Sequence, residues 1–116
     1  MPDFTVTEID PDGKSSKEKG AKFDMGKPRC ALVLGGFSRA LLKVSEVGTF
    51  GAEKYSDFGW LSVDNGEDRY DDAKLRHWLI EKTGETIDQQ SSLEHAAHEA
   101  WNALARLELI LRNKSS

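Results

Sequence analysis

Cysteine is almost missing from this chain. Cys30 stands alone, so no intrachain disulfide can form, and a reducing cytosol is the expected home. Long apolar runs are missing too: none approaches the roughly 20 residues that a membrane span needs. The opening MPDFTVTEIDPDGK has neither the basic n-region nor the apolar h-region of a secretory signal. There is no excess of positive charge. A formal net charge of −4 argues against a module that binds nucleic acid by neutralising phosphates. Internal repeats, a zincin pattern and a multi-cysteine metal pattern are also absent. What remains is a 116-residue chain, 31% charged and 38% hydrophobic, which suits one soluble domain with a modest core.

The chain falls into three stretches. Residues 1–21 are polar, bury little and are expected to form a mobile tail. Residues 22–112 carry the apolar periodicity of a domain, and 113–116 form a short C-terminal tail. Within the domain, KFDMGKPR and the apolar run CALVLGG read as an extended segment or turn because of Pro28 and the glycines. A first helix is predicted from about Phe37 to Tyr55, with Leu41, Val44 and Gly48 on one face. Gly48 and Gly51 weaken it and point to close approach of another backbone or a ligand. SDFGWLSVDN is a loop. A second helix covers about Glu67 to Thr83 and is stopped by Gly84. The expected fold class is all-α: an antiparallel helical bundle with an extended N-terminal arm. Three helices with broad apolar faces make a small core, so completion by homo-oligomerisation, as a homodimer or larger, is expected.

SSLEHAAHEAWNALARLELIL, residues 91–111, is the third helix. Ser91 and Glu94 have capping-box spacing. Leu93, Ala97, Ala100, Trp101, Leu104, Leu107 and Leu111 gather into one stripe, read as the core face. His95, His98 and Asn102 form a second line about opposite it. Either water covers that line, or it borders a cleft or a subunit interface.

Six groups near the second helix and its successor can bind metal or move protons: His77, Glu81, Glu85, Asp88, His95 and His98. If the two helices are antiparallel neighbours, the turn brings all six to one end of the pair. That convergence is what a divalent-metal site in a bundle requires. Oxygen ligands suit Mg²⁺ or Mn²⁺, while imidazoles admit Mn²⁺, Zn²⁺, Co²⁺ or Fe. The alternative is that Glu85 and Asp88 merely solvate a turn. Lys22, Lys27, Arg29, Lys54 and Arg76 are placed to meet phosphate oxygens. Tyr55 and Trp60 can stack on a base or fill the end of the bundle.

The succession KFDMGKPR, EVGTFGAEKYSDFGW, RYDDAKLRHW and GETIDQQSSLEHAAHEAWNALARLELIL resembles the phage-encoded dATP/dGTP diphosphohydrolase family, itself similar to the MazG-type all-α nucleoside triphosphate pyrophosphohydrolases. The likeness covers about residues 20–112. Its matching positions are Lys22, Asp24, Gly26 and Lys27, then Gly51, Lys54, Tyr55 and Trp60. Arg76, His77, Gly84, Glu85 and Asp88 follow, and His95, His98 and Asn102 complete it. The resemblance implies that the histidine line faces a site. It implies a metal-dependent cleavage of dGTP or dATP to the monophosphate and pyrophosphate. On that reading Glu85, Asp88, His95 and His98 are metal ligands, and His77 and Glu85 are catalytic. Lys22, Asp24, Lys27, Lys54, Tyr55, Trp60, Arg76 and Asn102 then bind a purine deoxynucleoside triphosphate. The chain departs from the MazG pattern in one respect. No E-x-x-E stands on the first helix, where Glu46 and Glu53 are seven apart, and H-x-x-H replaces E-x-x-D. Two rival classes remain: another metal-dependent phosphohydrolase, and a non-catalytic nucleotide- or partner-binding helical module.

Overall fold

Ser38–Lys54, Gly66–Lys82 and His95–Lys114 are long helices, and Cys30–Gly35 is a short one. They are numbered in chain order as α1 (Cys30–Gly35), α2 (Ser38–Lys54), α3 (Gly66–Lys82) and α4 (His95–Lys114). The computed structural model describes residues 11–114. The expected tails therefore lie partly outside the described residues, at positions 1–10 and 115–116. The chain divides into two compact units, one ending at Gly36 and one starting at Phe37.

In the first unit the apolar run is not extended: Cys30–Gly35 coils into α1. Ala31, Leu32 and Leu34 favour a helix, and Pro28 stands just ahead of the first turn, where its missing N–H costs nothing. Val33 N–H bonds back to Arg29 O at 3.0 Å. No side chain of α1 is buried.

In the second unit α2 and α3 fall within a residue or two of the expected spans. Glu67 and Asp68 sit in the first turn of α3 and complement its dipole. Gly84 ends that helix at φ 109°, a backbone state that other residues rarely adopt, and its N–H bonds Glu81 O at 3.0 Å. Two long-range contacts set the direction of α4. Asn113 near its end donates to Glu67 at the start of α3 at 3.0 Å, and His95 at its start meets His77. The helices α3 and α4 therefore run antiparallel and pack along most of their length. On α2, Gly48 lets Trp101 of α4 come close; a Cβ there would stand 3.1 Å from the indole Nε1. A Cβ at Gly51 would meet nothing within 4 Å. Trp101 is also met edge-on by Trp60 and Tyr70, at centroid distances of 5.8 and 5.6 Å. The Tyr70 hydroxyl donates to Trp60 O at 2.6 Å.

Two expectations for α4 are corrected. It begins at His95, four residues after Ser91, whose hydroxyl is used elsewhere. The face of α4 that packs inside the chain is also not the leucine face. The buried side chains include His95, His98, Asn102, Ala97 and Ala105, whereas Leu104, Leu107 and Leu111 are exposed. A helical wheel separates the two lines correctly, but polarity alone does not say which one a neighbouring helix covers. Ala105 lies on the histidine side, while Ala97 and Trp101, at one edge of the apolar stripe, pack inward as well.

Candidate functional site

The loop between α3 and α4 places the acids. An antiparallel bridge pairs Ile87 with Glu94, closed by Asp88 N–H to Leu93 O at 2.8 Å and His95 N–H to Thr86 O at 3.0 Å. Ser92 accommodates the tight return with φ 62°. Glu85 and Asp88 are thereby held beside the first turn of α4, and His77 arrives from α3.

Several hydrogen bonds in this cluster have a fixed direction. Ser91 Oγ donates to Asp88 Oδ2 at 2.7 Å, and Ser91 N–H donates to the same oxygen at 2.9 Å. With its proton committed, Ser91 Oγ accepts from His98 Nε2 at 2.7 Å. His95 Nε2 lies 2.7 Å from Glu85 Oε2 and donates to it. His95 Nδ1 and His77 Nδ1 are joined by a 2.8 Å hydrogen bond whose donor is set by the protonation of the two rings. With Nε2 donating to Ser91, a neutral His98 keeps a lone pair on Nδ1. His77 and His98 stack at 4.3 Å, 7° from parallel. His95 has no exposed surface at all.

The electrostatics follow from burial. Desolvation, with the neighbouring His98 and His95, lowers the His77 pKa to about 4. Burial also lowers that of His98, against the pull of Asp88. For Asp88 burial acts upward but is outweighed by the hydrogen bonds from Ser91 and by His98 and His77, so its carboxyl titrates below the usual range. The shifts favour neutral imidazoles at His77 and His98 and an ionised carboxylate at Asp88, the protonation that metal ligation requires.

One ligand atom from each of His77, Asp88 and His95 lies within 4.8 Å of the others. Two imidazole nitrogens and a carboxylate oxygen suit a divalent cation. Glu85 and His98, expected as ligands, stand behind this group. Glu85 holds the far nitrogen of His95, the arrangement that orients metal-bound histidines. His98 holds Ser91, which holds Asp88.

The other expected residues are spread more widely. Arg76 is exposed beside His77. Lys54 lies over the ring of Tyr55 at 5.2 Å, and Tyr55 is 76% exposed at the end of α2. Trp60 takes the packing alternative against Trp101. Asn102 is buried and turns its amide to His98 O at 2.8 Å within α4. Lys22, Asp24 and Lys27 belong to the first unit.

Two residues were not foreseen. Ser91 has the spacing of a helix cap, yet it is the hub between Asp88 and His98; nothing in a capping-box pattern distinguishes the two uses. Glu99 follows His98 by one residue and its Oε2 is shut from water with no hydrogen-bond partner among the described residues. Burial, then the Glu81 carboxylate, raises the Glu99 pKa. The i, i+4 spacing of His77–Glu81 and His95–Glu99 on facing helices was the available signal.

Fold and site define a small all-helical protein with an imidazole–carboxylate centre enclosed between antiparallel helices. The family described as dATP/dGTP diphosphohydrolase, N-terminal, matches residues 17–116, and the chain belongs to that family. No curated protein and no solved structure matches the chain. In the described residues no helix is long and apolar enough to cross a membrane.

Proposed function

We propose that this protein is a metal-dependent hydrolase of purine deoxynucleoside triphosphates, cleaving dATP or dGTP between the α and β phosphates to give the monophosphate and pyrophosphate. The observation that carries the reading is the meeting of His77, Asp88 and His95 inside the family-matched segment, with Glu85 and Ser91 fixing their orientation. His77, Asp88 and His95 would hold the cation, and two nitrogens among three donors favour Mn²⁺ or Zn²⁺ over Mg²⁺. When bound, such a cation polarises phosphoryl oxygens and makes water a nucleophile near neutral pH.

The protein's own groups do the rest. Glu85 accepts the His95 Nε2 proton and keeps that ring in one tautomer. Ser91 and His98 lock the Asp88 carboxylate. Glu99, whose carboxyl burial and the neighbouring Glu81 hold above its usual range, can take up or return a proton beside His95. Arg76 and Lys54 supply positive charge for phosphate oxygens.

The test is a panel of dNTPs and NTPs with Mn²⁺, Zn²⁺ or Mg²⁺, with products separated by chromatography. Monophosphate plus pyrophosphate from a purine deoxynucleotide is expected. Orthophosphate would indicate another phosphohydrolase. Nucleotide binding without turnover would indicate a binding module.

A further inference from the structure

A groove of about 420 Å³ opens between α2 and the turn that leads into α4, a volume within the range of small-molecule sites. Phe50 on α2 and Leu93 in the turn give it apolar walls. Ser91 is also part of its lining, and the Ser91 hydroxyl lies 2.7 Å from the Asp88 carboxylate. The groove therefore reaches within one hydrogen bond of the group formed by His77, Asp88 and His95.

The polar oxygens along the groove are acceptors. Ser45 Oγ donates to Leu41 O and Thr49 Oγ1 donates to Ser45 O, both at 2.8 Å. Their hydrogens are committed inside α2, so towards a ligand these oxygens can only accept. Ser91 Oγ likewise gives its hydrogen to Asp88. The remaining polar side chains are Glu46 and Glu53, and a carboxylate only accepts. Lys43 holds Glu46 at 3.4 Å, whereas Glu53 makes no ion pair among the described residues.

We infer that this groove is the base site of the nucleotide, with Glu53 reading the edge of guanine; the inference rests on the metal-centred hydrolysis proposed above. Flat bases are held between apolar and aromatic side chains and read along their hydrogen-bonding edge. A groove of acceptors selects by the donors on that edge. Guanine presents its N1–H and its 2-amino group side by side, and one carboxylate accepts both. Adenine presents an amino group beside a ring nitrogen that is itself an acceptor. Thymine and uracil carry their N–H between two carbonyl oxygens, which a carboxylate repels. Cytosine offers one amino group on a smaller ring. Guanine therefore ranks first. Glu53 takes the role because the charge of Glu46 is already met by Lys43.

The test is calorimetric titration of the full chain, in Mn²⁺, with the α,β-methylene analogues of dGTP and dITP. Neither can be cleaved at that bond, and the inosine analogue lacks the 2-amino group. Turnover of dGTP itself is followed separately by chromatography. The wild type is expected to bind the guanine analogue about tenfold or more tightly than the inosine analogue, the effect of one charge-assisted hydrogen bond. Glu53→Gln should bring the ratio close to unity, and Glu108→Gln, exposed towards the end of α4, should keep it. Equal affinities in the wild type overturn the inference, as does binding of neither analogue, and so does a ratio that survives Glu53→Gln. If dGTP is cleaved while Glu53→Gln keeps the ratio, the base site fails and the hydrolase reading stands. If the ratio depends on Glu53 but dGTP is never cleaved, the base site stands and the hydrolase reading fails.

Discussion

The ring of His77 lies flat on that of His98, 4.3 Å away between centroids and 7° from parallel. Neutral imidazoles tolerate that contact, and two imidazolium rings would repel. Burial and the other histidines hold His77 near 4, and burial lowers His98. Both groups titrate near 6.5 in an unfolded chain. Between about pH 6.5 and about pH 4 the unfolded state therefore binds more protons than the folded one. Stability from these groups is complete above that window and is lost as pH falls through it. Melts of metal-free protein should show Tm dropping as pH is lowered from about 7.5 to about 4.5, and His77→Gln should flatten the drop. A level Tm across the range would contradict the assignment of neutral rings.

Metal should raise the melting temperature. A ligand that binds only the folded state at a hundred times its Kd stabilises by about 2.7 kcal/mol. Mn²⁺ or Zn²⁺ is expected to shift the wild-type Tm upward, and Asp88→Asn or His77→Ala to remove the shift. Equal shifts in wild type and variants would place the ion elsewhere.

Glu85→Gln probes orientation. The amide cannot accept the His95 proton with the strength of a carboxylate, so His95 loses its fixed tautomer. Calorimetric titration with Mn²⁺ should show affinity weakened by roughly 10–100-fold, with helical circular dichroism unchanged. Unaltered affinity would confine Glu85 to solvating the turn.

Glu99→Gln should stabilise the metal-free protein. The Glu99 carboxyl is raised by burial and by Glu81, so its ionised form is disfavoured in the fold. That penalty is absent below the unfolded pKa and grows as pH rises past it. The variant's Tm should exceed wild type at neutral pH and converge with it in acid. A lower Tm at neutral pH would show that the Glu99 charge is compensated.

Gly84→Ala should cost about 1–3 kcal/mol in chemical denaturation. The position has φ 109°, and the space around it is open, so the loss would come from backbone strain alone. A cost near zero would mean that the turn readjusts and that the bridge from Ile87 to Glu94 can shift with it.

Much of this was readable one residue at a time. The spans of α2 and α3 follow from apolar spacing, and the end of α3 follows from Gly84. The gathering of His77, Glu85, Asp88, His95 and His98 follows from antiparallel neighbours joined by a short turn. Roles inside the cluster were not readable. Whether Glu85 binds an ion or an imidazole depends on a few ångströms set by the Ile87–Glu94 bridge, and Ser91 carries the same local pattern as a helix cap. The helical state of Cys30–Gly35 is not legible either, because Pro28 and two glycines signal a turn while only three good helix formers signal a helix.

Sequence by itself determined the helical class, the spans of α2 and α3 and the separation of α4 into a histidine line and a leucine line, since these rest on local propensity and on a 3.6-residue period. Tertiary structure decided which line faces inward. A period fixes angles around one helix axis but carries no information about the neighbour. That depends on where small side chains let two helices approach, and with Ala105 beside it the histidine line, rather than Leu104, Leu107 and Leu111, lies against the rest of the chain.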